Sequence, residues 1–65
     1  MDSRDVIKAL QQAGWYEVSQ VGSHKPFKND KLSGRVTVPH PKKSIAVGTL
    51  KSIEKQAQIR LRRVP

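Results

Sequence analysis

Cysteine is absent from this chain, and only 65 residues are available to build a core. That pairing limits the possible folds more than any motif does. A domain this short buries only about 60% of the surface its unfolded chain exposes. Small domains often compensate with disulfides or a zinc site. Neither can be made from thiols here, and two histidines alone are poor zinc ligands. The sequence therefore predicts one domain over residues 1–65, without metal or other cofactor, held together by apolar packing.

The apolar residues are few, 35% of the chain, but ordered. Val6, Leu10 and Ala13 recur at helical spacing with Ile7 beside them, which predicts a first helix with one apolar stripe. Ser3 reads as its N-cap, Asp5 as the first-turn anion favoured by the helix dipole, and Gly14 as the residue that stops it. Residues 15–21, from Trp15 through Tyr16 and Val18 to Val21, are aromatic and β-branched and predict a strand. Gly22-Ser23 is a turn. His24 to Lys28 then alternates around Phe27, and Pro26, which has no N–H, predicts an edge strand or a bulge. Asn29 to Gly34 reads as a hairpin loop. Arg35 to Val38 is a third strand with Val36 and Val38 inward, Arg35 and Thr37 outward.

Pro39-His40-Pro41 ends that strand and opens a linker through Lys42, Lys43 and Ser44. Val47, Leu50, Ile53 and Ala57 again keep helical spacing, predicting a second helix that begins near Gly48-Thr49 with Thr49 as N-cap. Residues 59–65 can extend this helix or leave it. The order is α-β-β-β-α, an α+β fold with a three-stranded antiparallel sheet. Both helices must cover one face of it, having no other apolar surface to bury against.

Charge points to the partner. The net formal charge is +8, and its distribution is uneven. Residues 1–20 carry two bases against three acids, whereas residues 21–65 carry eleven bases against two acids. A positive field concentrated in one part of a small domain attracts phosphates and favours nucleic acid, above all RNA, over an anionic membrane. No apolar run approaches the roughly 20 residues of a membrane span, and the N-terminus does not read as a signal peptide, so the expected location is the cytoplasm.

The α-β-β-β-α order suggests the double-stranded RNA-binding fold, which reads RNA shape and phosphates. Lys42 and Lys43 precede the second helix and Lys51 lies in its predicted first turn, which suggests a phosphate site at the helix start. Gly22-Ser23-His24 is the more specific feature. Gly22 permits a tight, open turn, and Ser23 leads into His24, which sits among Lys25 and Lys28. An imidazole there can carry a proton from a ribose 2′-OH or to a leaving oxygen, or can simply touch phosphate. His40 has two readings as well: a second proton carrier paired with His24, or, as its two flanking prolines favour, a structural residue. Trp15 reads as core. Tyr16 could stack on a base.

Taken together, Ala13-Gly14-Trp15, Val21-Gly22-Ser23-His24, Phe27, Val36-Thr37-Val38-Pro39-His40-Pro41 and Gly48-Thr49-Leu50-Lys51-Ser52-Ile53 resemble the HicA toxin family over residues 3 to about 57. The resemblance implies a type II toxin–antitoxin component with a fold like the double-stranded RNA-binding domain. It also implies cleavage of mRNA without metal and neutralisation by a HicB antitoxin. Carried over by position, the family's active histidine is His24 and its preceding glycine is Gly22, with Ser23 between them. Many members continue with a second histidine and an apolar residue, where this chain has Lys25 and Pro26. On this reading Lys25, Lys28, Arg35, Lys42, Lys43 and Lys51 are the expected RNA-binding bases. The alternative is an RNA-binding module without catalysis; a DNA-binding or membrane-surface protein fits the element order less well.

Overall fold

A computed structural model describes residues 1–19 and 22–61. Val21 and the tail beyond Leu61, both part of the expectations above, lie outside the described residues. The elements are helix α1 (Ser3–Gln12), strands β1 (Tyr16–Glu17), β2 (His24–Asn29) and β3 (Leu32–Pro39), and helix α2 (Val47–Ala57). The sheet is antiparallel in the order β1-β2-β3.

α1 starts one residue earlier than the capping signal suggested. Asp2 is the N-cap, its carboxylate accepting the Arg4 N–H at 2.8 Å. That bond, with help from the Arg4 guanidinium, holds the Asp2 carboxyl below its ordinary value. Ser3 is instead inside the helix and almost fully buried. It lies in line with Val6 and Leu10, so the buried stripe includes one hydroxyl. The helix closes as Gly14 predicted. Gly14 takes φ +92°, its N–H donates to the Gln11 carbonyl, and the Trp15 N–H donates to that of Leu10. These two bonds form a Schellman cap, in which a left-handed residue is required.

Of the strand expected over residues 15–21, only Tyr16 and Glu17 form one among the described residues, and Pro26 accounts for its early end. β2 is the central strand, not an edge, so Pro26 sits between two neighbours. Its carbonyl accepts from the Val18 N–H at 3.0 Å, so its backbone polar groups face β1. The missing N–H therefore removes a bond to β1 and spares the β2–β3 ladder. β1 cannot extend past this point. The expected bulge is present as a register irregularity between Phe27 and Asn29.

The β2–β3 turn is tighter than Asn29–Gly34. Only Asp30 and Lys31 connect the strands. Asn29 holds both sides of this corner: its side-chain oxygen accepts the Lys31 N–H at 2.8 Å, and its amide donates to the Ala13 carbonyl at 3.2 Å. The first contact is an Asx turn; the second fastens the hairpin to the end of α1.

α2 begins at Val47 with Ala46 as a cap that offers no side-chain hydrogen bond, two residues before the expected Thr49 start. Val47 is exposed, while Leu50, Ile53 and Ala57 are buried as their spacing required. The helix ends at Gln58, which takes the left-handed conformation, and the chain turns away. Its next residues are not idle: Ile59 is partly buried, and Leu61 is buried, its N–H donating to the Glu54 carboxylate at 2.9 Å.

The core is a single cluster of Val6, Leu10, Trp15, Phe27, Val36, Val38, Ile45, Leu50, Ile53, Ala57 and Leu61. Phe27, Val36 and Val38 come from one face of the sheet, and both helices pack on it. The other face carries no helix. Ile45 and Leu61, in a loop and a tail, escape periodicity because neither belongs to a helix or strand. Trp15 is buried as expected, and its indole N–H has no hydrogen-bond partner among the described residues.

Candidate RNA interface and histidine site

Side chains alternate across a strand, so the core residues fix which face each polar neighbour occupies. Phe27 and Val36 are paired and buried. Residues one step away from them leave by the opposite, open face. That face carries His24, Pro26 and Lys28 from β2, Arg35, Thr37 and Pro39 from β3, and Tyr16 from β1. His24 pairs with Pro39, Pro26 with Thr37, and Tyr16 with Lys28. His24, Lys28, Arg35, Thr37 and Tyr16 are all exposed.

His24 opens β2 directly after the Gly22-Ser23 turn. Gly22 takes φ +60°, and a side chain there would meet nothing within 4 Å, so the turn is both left-handed and open. The Ser23 carbonyl accepts the His40 N–H at 2.8 Å, which ties this turn to the end of β3.

His40 does not join His24. It follows the alternation of Val36 and Val38 to the helix-covered side, where its Nδ1 lies 2.8 Å from the Ser3 hydroxyl of α1. The Ser3 oxygen also accepts the Lys42 N–H at 3.0 Å, and the Ser3 N–H donates to the Lys42 carbonyl at 2.8 Å. A buried hydroxyl needs an acceptor for its own proton, and His40 Nδ1 supplies it. In the neutral ring the imidazole proton then sits on Nε2. The two histidines thus occupy opposite faces, with His40 bonded to α1.

Lys25 shares the face of Phe27 and is half-buried, with its ammonium 3.2 Å from the Glu17 carboxylate across the β1–β2 pair. Of the predicted RNA-binding bases it is the one already engaged by an acid. Lys28 and Arg35 stand on the open face with His24. Lys42 and Lys43 occupy the loop after β3, held beside the His24 turn through Ser3 and His40. Lys51 is exposed on α2, in the second turn because the helix starts at Val47. Among the described residues four of the five acids have partners: Asp2 with Arg4, Glu17 with Lys25, Asp30 with the Tyr16 hydroxyl, and Glu54 with the Leu61 N–H. Among the described residues no three His, Asp or Glu side chains come together as a metal site would require. No helix among them is long and apolar enough to cross a membrane.

Sequence reasoning missed two participants. Ser3 was readable as buried from its i, i+3, i+7 relation to Val6 and Leu10, and Glu17 as the neighbour of Lys25 from the period-two pattern around Phe27.

The fold has a counterpart among solved structures. Comparison with curated proteins gives no match. A solved structure, the HicA3 and HicB3 toxin-antitoxin complex, contains a chain that superimposes with a TM-score of 0.82 at 33% sequence identity. The match covers 95% of the present chain and 100% of that one. The family model described as the HicA toxin of bacterial toxin-antitoxin systems matches residues 3–59. With nearly the whole length accounted for, the chain belongs to the HicA toxin family.

Proposed function

We propose that this chain, acting as a single-domain protein, is the toxin of a type II toxin–antitoxin system and a metal-independent endoribonuclease that cleaves mRNA through His24. The observation that carries the reading is the position of His24: exposed, at the start of β2, behind an open glycine turn and on the same face as Lys28 and Arg35. A neutral imidazole there takes the proton of a ribose 2′-OH. The 2′ oxygen attacks the adjacent phosphorus, the bond to the 5′ oxygen breaks, and that oxygen leaves with a proton. The products are a 2′,3′-cyclic phosphate and a free 5′-OH. Lys28, Arg35, Lys42, Lys43 and Lys51 hold the backbone and offset the charge that builds on the phosphate. Lys25, paired with Glu17 on the other face, takes a smaller share of this binding. No step uses a metal.

The partner follows from the same charges. A HicB-type antitoxin with an acidic surface would cover His24 and the cationic open face, and the association would be fast and salt-sensitive. An association of this kind is consistent with the complex that the similar HicA3 chain forms with HicB3.

One observation favours a second reading, an RNA-binding module without catalysis: among the described residues no side chain hydrogen-bonds the His24 ring to orient it. The deciding experiment is incubation of a defined mRNA with purified protein in EDTA, alongside His24→Ala. General acid–base catalysis contributes on the order of 10²–10⁴-fold, so the variant should lose that much. Undiminished cutting by the variant moves the chemistry away from His24. RNA binding with no cutting by either protein replaces the enzyme with the binding module.

A further inference from the structure

Resting on the reading of RNA as the ligand, we infer that the open face of the sheet is a single-strand site, with Tyr16 as a stacking platform for a base several residues from His24. The double-stranded RNA-binding resemblance would instead place a duplex on the protein.

Three observations favour the single strand. First, the helices occupy only one side of the sheet, leaving a strip that runs from His24 to the hairpin corner. Lys28 lies four residue steps along β2 from His24, a reach of about 13 Å, which suits a short stretch of extended nucleotides. Second, this strip is chemically ordered. His24 stands at one end beside Pro39, and Tyr16, Lys28 and Arg35 stand together at the other, with Pro26 and Thr37 between. Cations interleaved with an exposed aromatic are the elements of single-strand recognition, in which bases stack and phosphates pair with Lys and Arg. Bases inside a duplex stay stacked on one another and cannot reach such a ring.

Third, the Tyr16 ring is exposed yet anchored. It is 46% accessible, one of few large apolar residues left in solvent. Its hydroxyl donates to the Asp30 carboxylate at 3.1 Å, reaching from a position opposite Lys28 to the turn beyond it. The side chain is therefore laid along the sheet toward the corner, and a ring held this way keeps one face outward. The hydrogen bond also holds the phenol above its ordinary titration range, so it stays neutral and donating at physiological pH. Asp30 keeps its negative charge while accepting this bond, but Lys28 and Arg35 outnumber it at this end. Glu17, the other acid nearby, faces the opposite side with Lys25. The open face thus presents cations and an aromatic to an anionic strand.

The test measures binding by fluorescence anisotropy in the His24→Ala chain, which prevents cleavage. Its probes are a labelled single-stranded oligoribonucleotide long enough to span from His24 to Tyr16 and a blunt duplex of the same sequence. Tyr16→Leu removes stacking and should weaken single-strand binding about tenfold. Tyr16→Phe keeps the ring and should stay within about twofold. Arg35→Gln, away from the Tyr16–Asp30 contact, should also weaken the single strand. Duplex binding should not respond to Tyr16. Single-strand affinity unchanged in Tyr16→Leu overturns the inference, as does an equal loss for the duplex. The two readings fail separately. Dependence on Tyr16 in a protein that never cuts RNA sinks the nuclease and keeps the platform; cleavage that ignores Tyr16 does the reverse. Absence of RNA binding removes both.

Discussion

Replacing Ser3 by Ala would remove a single oxygen and leave two polar groups without partners, His40 Nδ1 and the Lys42 N–H. Burying unsatisfied groups of this kind costs about 1–3 kcal/mol. A domain of this size has little stability in reserve, so the expected result of Ser3→Ala is a clear fall in the urea midpoint. Trp15, the one tryptophan and buried, reports that transition by fluorescence. The result also separates two roles. As a positioning residue, Ser3 should lower RNA cleavage more than the loss of folded protein explains, because the Lys42 backbone and the His24 turn are fastened through it. A purely structural Ser3 would leave the activity of the folded fraction unchanged.

At the scale of elements, α2 ends on Gln58 with φ +57°, a conformation that costs a side-chain-bearing residue about 1–2 kcal/mol and glycine nearly nothing. Gln58→Gly should therefore raise stability by about 1 kcal/mol and the thermal midpoint by about 4–8 °C. An unchanged or lower midpoint in calorimetry would show that Gln58 makes a compensating contact. The helices were the most legible elements in the sequence, because the stripes Val6–Leu10 and Leu50–Ile53–Ala57 have one geometric meaning. The Gly14 stop was equally plain. β1 was not, since its length depends on a missing N–H in Pro26, which belongs to a different strand and whose neighbour the sequence does not name. The same limit applied to the candidate site. Gly22-Ser23-His24 could be found by motif, and alternation about Phe27 would have put Lys25 on the far face. The separation of His24 from His40 needed the sheet, and the hydroxyl that holds His40 comes from the other end of the chain.

For the whole molecule, the field of +8 matters through where its charges stand. Each Lys or Arg that neutralises a phosphate adds about −0.7 to the slope of log affinity against log salt for a single strand. Lys28→Gln should therefore flatten the slope measured with an oligoribonucleotide by about 0.7. Lys25→Gln should alter it much less, because the Lys25 ammonium already faces Glu17. Equal changes would mean that Lys25 exchanges Glu17 for phosphate on binding. The Ser3 clasp also has a consequence in time. Surface loops ordinarily rearrange in nanoseconds to microseconds. The segment carrying Lys42 and Lys43 is instead bonded through both the N–H and the carbonyl of Lys42 to a residue buried under the core. The backbone at Lys42 swings free only when the first turn of α1 lifts off, so its excursions keep the slower rhythm of partial unfolding, and the point from which its basic side chain extends stays fixed between them.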